Sequence, residues 1–140
     1  MSESAQKAYF GRRYMLSASH RLHVDALTAE ENRAAYGKCN NPHGHGHNYV
    51  VEVMVGGMVN GETGMVMNLA DLDRVVNERV VERFDHRNLN LDPVFEKRVP
   101  TTENFSLALV EILREALPQG SLEHVRIEET ENNFFECSGA

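Results

Sequence analysis

Between residues 8 and 20 apolar and polar positions alternate, with Phe10, Tyr14, Leu16 and Ala18 on one side and Arg13, Ser17 and Ser19 on the other. That period of two predicts a β-strand. Alternation returns over 45–59, where His45, His47, Tyr49, Val51, Val53 and Val55 share a face and Asn48, Val50, Glu52 and Met54 form a mixed one, which predicts a second strand. Between the two, Thr28-Ala29-Glu30-Glu31 reads as a capping box: the Thr28 hydroxyl and the Glu31 carboxylate each satisfy an orphan backbone N–H. Gly37 closes the short helix that this box starts. Asn60-Gly61 predicts a turn into a short returning strand over 64–67.

The period then changes. Asn68 can cap a helix whose apolar positions Leu69, Leu72, Val76, Val80 and Phe84 follow helical spacing to an end near Asp85-His86. A second long helix starts at Thr101 or Thr102, carries Phe105, Ala108, Leu109, Ile112, Leu113 and Ala116 on one face, and stops at Pro118 and Gly120. Strands over 122–129 and 134–137 follow, joined through Thr130-Glu131-Asn132-Asn133, whose Asn residues tolerate a tight turn. The order ββααββ predicts an α+β fold, with an antiparallel four-stranded sheet and both long helices on one face. A small sheet of this kind leaves two edges and one face uncovered, so self-association is expected.

Composition narrows the function. The 140 residues hold 14 Lys+Arg against 21 Asp+Glu, a formal charge of −7, and no run of cations is long enough to bind nucleic acid along its phosphates. The length fits one domain spanning 1–140. No stretch approaches the ~18 apolar residues of a membrane span. Two cysteines, Cys39 and Cys137, are too few for a disulfide framework, and Met1 to Lys7 show no apolar leader, so a cytoplasmic protein with free thiols is expected.

Histidine is the exception to an ordinary composition. Three of seven fall within five residues, at His43, His45 and His47. Residues i and i+2 on a strand project to one side about 6.6 Å apart, which lets two imidazoles converge on a metal. His45 and His47 have that spacing, His20 would lie beside them if the first two strands pair antiparallel, and His43 has the same parity and competes. Three His ligands with one open position suit a catalytic zinc. Cys39, beside Lys38, is placed to act as base or nucleophile, with a pKa expected to be lowered by the cation and a metal. Glu129 shares the parity of Val125 and Ile127, so either its carboxylate faces the core side, suited to a ligand edge with two N–H donors, or pairing stops at Ile127 and it is solvated.

Taken in order, several segments resemble the 6-pyruvoyl-tetrahydropterin synthase family, over about residues 14–136. They are Ser17-Ala18-Ser19-His20-Arg21-Leu22, Tyr36-Gly37-Lys38-Cys39-Asn40-Asn41-Pro42-His43-Gly44-His45-Gly46-His47-Asn48-Tyr49, Gly64-Met65-Val66-Met67-Asn68-Leu69-Ala70-Asp71-Leu72, Asp85-His86-Arg87-Asn88-Leu89, Thr101-Thr102-Glu103-Asn104 and Glu129-Thr130-Glu131-Asn132-Asn133. The resemblance implies the tunnelling fold, in which sheets of three subunits close into a barrel and two trimers stack as a homohexamer. It implies a lyase acting on 7,8-dihydroneopterin triphosphate to give 6-pyruvoyl-tetrahydropterin. By the same resemblance, zinc is held by His20, His45 and His47, the base is Cys39, and Asp85 with His86 handles protons. Glu129 anchors the pterin, Thr101, Thr102 and Glu103 line its pocket, and Mg2+ is a candidate companion of the triphosphate. Lys38, Arg12 and Arg13 are the cations considered for that anion. Leu16 replaces the family's aromatic residue, and His43 is an additional imidazole. The sister 6-carboxy-tetrahydropterin synthase of queuosine biosynthesis is the competing enzyme, although its Cys-to-His spacing is usually shorter than Cys39-x5-His45. A non-catalytic zinc- and pterin-binding oligomer is the third reading.

Overall fold

The computed structural model describes residues 6–140, so the leader reading of the first five residues lies outside it. Strands β1 (Lys7–His20) and β2 (His45–Met58) pair antiparallel over their full length, from Lys7 opposite Met58 to His20 opposite His45. The segment between them holds helix α1 (Ala29–Tyr36) and one 3-10 turn, Gly37–Asn40. The capping box of α1 forms: Glu31 N donates to Thr28 Oγ1, and Thr28 N donates to Glu31 Oε1. Thr28→Ala is therefore expected to lower the free energy of unfolding by about 1 kcal/mol, seen as a lower urea midpoint at unchanged m-value.

After β2 come helix α2 (Leu69–Val76), a π turn (Asn77–Val81), a last turn α3 (Glu82–Phe84), and strand β3 (Arg87–Asn88). Helix α4 (Thr102–Ala116) precedes strands β4 (Leu122–Glu128) and β5 (Phe134–Ser138). The fold is α+β, but the sheet has five strands in the order β3-β1-β2-β4-β5 and is mixed, because β3 runs parallel to β1 beside Ala18 and Ser19. A two-residue strand is too short to show alternation. It forms because His86, at φ 58, turns the chain along β1, with His86 N donating to Ser17 O at 2.6 Å. The returning strand expected over 64–67 is absent. Asn60 Oδ1 accepts from the N–H groups of Glu62 and Thr63, while Asn60 N donates to Met65 O, so the loop takes up its own backbone groups.

The helices cover one face. Tyr49, Val51, Val53 and Val55 of β2 and Val125 and Ile127 of β4 share one core with Leu72, Val76, Val80 and Phe84 from α2, the π turn and α3 and with Phe105, Leu109 and Leu113 from α4, all fully buried. Apolar residues four apart drift about 40° per step around a helix of 3.6 residues per turn. The wider π turn takes up part of that drift, which keeps Val80 and Phe84 on the core side with Leu72 and Val76. Leu69, assigned to the same stripe from spacing, lies before this correction and is 47% exposed. On the opposite sheet face Tyr9 and Met15 are exposed, Met15 by 71%. Among the described residues no helix is long and apolar enough to cross a membrane.

Candidate active site

The β1–β2 register brings the end of one strand to the start of the other, and Gly44 makes this closure possible. At φ 71 it turns into β2 so tightly that a Cβ there would sit 2.7 Å from the His20 carbonyl oxygen. His20, His45 and His47 then face the same side, with Nε2–Nε2 separations of 3.3 Å (His20–His45), 3.2 Å (His20–His47) and 3.1 Å (His45–His47). These contacts cannot all be hydrogen bonds, because each ring nitrogen either donates or accepts and any three must include a mismatched pair. His20 Nδ1–H donates to the Pro100 carbonyl at 2.9 Å; since a carbonyl only accepts, the neutral ring turns the lone pair of Nε2 toward the cluster. Burial pushes His20 and His47 below the ordinary imidazole value, which favours the neutral form that ligates metal. Zinc–nitrogen bonds of about 2.0–2.1 Å in a tetrahedron separate the donors by about 3.3–3.4 Å. The three histidines fit that geometry.

Cys39 adjoins the tripod: its Sγ is 3.1 Å from His45 Nε2, and it and one nitrogen of each imidazole all lie within 4.8 Å of one another. The loop is held by Leu22 N donating to Cys39 O and by Asn40 Nδ2 donating to Leu22 O, both at 2.7 Å. Among the chain's own groups, burial and then the charge of Glu129 push the thiol up, so the lowering expected of Cys39 would have to come from the bound metal. Glu129 is not solvated. Pairing continues to Glu128, and the Glu129 side chain, 11% exposed, places Oε1 at 2.9 Å from His47 Nε2. Asn133 Nδ2 donates to its other oxygen at 3.2 Å.

Other expected residues lie apart from this cluster. Asp85 Oδ1 accepts from Ser17 N at 2.8 Å, and its Oδ2 is 3.6 Å from His86 Nε2. The His86 side chain is 82% exposed and lines a cleft with Ser17, Ser19 and Asn48, whose strand parity is opposite to that of the histidine cluster, and the cleft is also lined by His47. Thr101 caps α4 by accepting from Asn104 N, Thr102 is buried, and Glu103 is exposed. His43 is exposed and outside the metal-binding group, its N–H donating to Asn41 Oδ1. Arg12 and Arg13, considered for the anion, are instead engaged by Asp73 and Glu52.

Two groups escaped the sequence reading. The Pro100 carbonyl that orients His20 leaves no trace in residue type. Tyr49, given no role by residue type, lies in the core with its ring centroid 5.4 Å from that of His47, and its buried hydroxyl, like that of Thr102, has no hydrogen-bond partner among the described residues. Its place on the same strand face, two residues after His47, was the available signal.

Comparison with known proteins returned one family model, described as 6-pyruvoyl tetrahydropterin synthase, matching residues 10–140. A human protein named 6-pyruvoyl tetrahydrobiopterin synthase is 47% identical over 134 residues, covering 95% of this chain and 92% of the relative. The protein of that name from Poecilia reticulata is 48% identical, covering 94% and 90%. A solved structure described as Caenorhabditis elegans 6-pyruvoyl tetrahydropterin synthase superposes with a TM-score of 0.90 at 39% identity, covering 96% of this chain and 97% of its own.

Proposed function

The chain belongs to the 6-pyruvoyl tetrahydropterin synthase family, and from that premise we propose that it is the lyase converting 7,8-dihydroneopterin triphosphate to 6-pyruvoyl-tetrahydropterin with loss of triphosphate. The observation that carries this reading is the tripod of His20, His45 and His47 with the Cys39 thiol 3.1 Å from one of its nitrogens. When bound, zinc supplies a Lewis acid that acidifies the C–H bonds of the neighbouring substrate side chain.

The protein's own groups do the rest. Cys39 takes the proton from that side chain, its Sγ held at the cluster by the pinned 22–40 loop. Glu129 accepts from the two N–H donors along the pterin edge, a bidentate contact that sets the orientation of the ring. Its nearly buried position beside His47 supports this role. Thr101 and Thr102 lie at the start of α4, one and two residues beyond the carbonyl that orients His20, and with Glu103 they are proposed to close the pterin pocket. Asp85 holds His86 for the second proton transfer, and the exposure of that ring on the other sheet face suits service to the site of a neighbouring copy. A homohexamer of tunnelling-fold domains, with sheets joined into barrels, is accordingly the proposed assembly; the exposed Tyr9 and Met15 are on the face it would cover.

Incubation with 7,8-dihydroneopterin triphosphate and identification of the product by mass tests the reading. The expected product is 6-pyruvoyl-tetrahydropterin. A carboxy-pterin with released acetaldehyde would assign the chain to the sister reaction, and metal and pterin binding without product would mark a non-catalytic relative.

A further inference from the structure

Half of the 14 Lys and Arg of this acidic chain are neutralised by carboxylate neighbours among the described residues. Lys7, Arg12, Arg13, Arg74, Arg83, Arg98 and Arg126 each sit in an ion pair. Arg21, Arg33 and Lys38 have no ion pair among the described residues, and the three line one cleft of about 360 Å3 together with His23, Asn40 and Asn41. No carboxylate lines it. The nearest contact of one with that cleft's groups is the exposed Asp25, 3.4 Å from His23. Arg21, which lines the cleft, has a buried Nε that donates to nothing in the described chain. A buried guanidinium N–H without an acceptor costs free energy, and an anion entering the cleft removes that cost.

The cleft adjoins the cluster along the chain, since Arg21 follows His20 and Lys38 precedes Cys39, while the metal-binding residues themselves do not line it. Arg33 reaches the same cleft from α1, which the capping box at Thr28 and the turn at Gly37 hold against the Cys39 loop. Cations gathered in a concave site focus field even on a protein of charge −7.

We propose that Arg21, Arg33 and Lys38 form an anion subsite that takes a polyphosphate group. This rests on the proposed function for its ligand, the triphosphate arm of the substrate, and it answers how an acidic chain admits that arm. Arg21 and Arg33 give planar, fork-shaped donors to the phosphate oxygens, and Lys38 adds a point charge.

Titration calorimetry with inorganic triphosphate tests the subsite apart from pterin chemistry. Arg33→Gln and Lys38→Gln, both at exposed positions, are each expected to weaken triphosphate about tenfold. Binding should weaken as salt rises. Arg79→Gln, which removes an exposed cation elsewhere, should leave the affinity within about twofold of the parent. In turnover, the first two variants should raise KM for the pterin triphosphate by a similar factor with a smaller effect on kcat. Unchanged triphosphate affinity in both variants would overturn the subsite even if the parent makes 6-pyruvoyl-tetrahydropterin. Weakened affinity in both, with no product from the parent, would establish the subsite and refute the lyase reading.

Discussion

Replacing Cys39 with alanine is expected to lower kcat by about 10²- to 10⁴-fold, the range that a positioned general base contributes, while metal content and pterin binding stay at parental levels. The separation of effects follows from geometry. Cys39 touches the tripod at one corner only, 3.1 Å from His45 Nε2, whereas the three imidazoles meet one another at 3.1–3.3 Å without it. The loop that carries Cys39 is secured by backbone and Asn40 contacts that the substitution leaves in place. Loss of the thiol therefore removes a reacting group and leaves the ligand set. Metal analysis, pterin binding and steady-state turnover on the same preparation make the check. A variant that keeps kcat within tenfold of the parent would remove Cys39 from the proton transfer.

Alternation made the β1–β2 pair legible, and with it the heart of the site. Once two strands pair antiparallel with His20 near one end, residues at i and i+2 on the second strand must converge on it, as His45 and His47 do. Parity also placed Glu129 toward the core side, and the histidine contacts bear that out. What could not be read are relations between positions distant in sequence. Arg12 and Arg13 look free until Asp73 and Glu52 are seen beside them, 61 and 39 residues away. The Cys39 thiol is pushed up by burial and by a carboxylate from the far end of the chain, neither of which its sequence neighbours reveal. Strand β3 arises from a left-handed turn at His86 and a single close backbone contact, neither of which has a periodic signature. The Asp85–His86 pair is adjacent in sequence, but its separation from Cys39 depends on which sheet face the turn leaves it on.

His45→Ala is expected to release the metal. Two imidazoles would remain, and the missing one is the member that touches both the other histidines and Cys39. The loss should be visible in stability as well as in metal content. A ligand at about 100 times its Kd stabilises the folded chain by about 2.7 kcal/mol, which corresponds to roughly 10 °C in Tm for a domain of this size. The parent should show that rise when zinc is added, and His45→Ala should show almost none. His43→Ala, at an exposed residue outside the group, should retain both the metal and the rise. This pair separates a tripod from a histidine-rich turn that binds metal adventitiously, because in such a turn either imidazole is dispensable to the same degree. Stoichiometric metal in purified His45→Ala would refute the tripod. Equal losses in the two variants would do the same, since the donor geometry assigns no part of the coordination to His43.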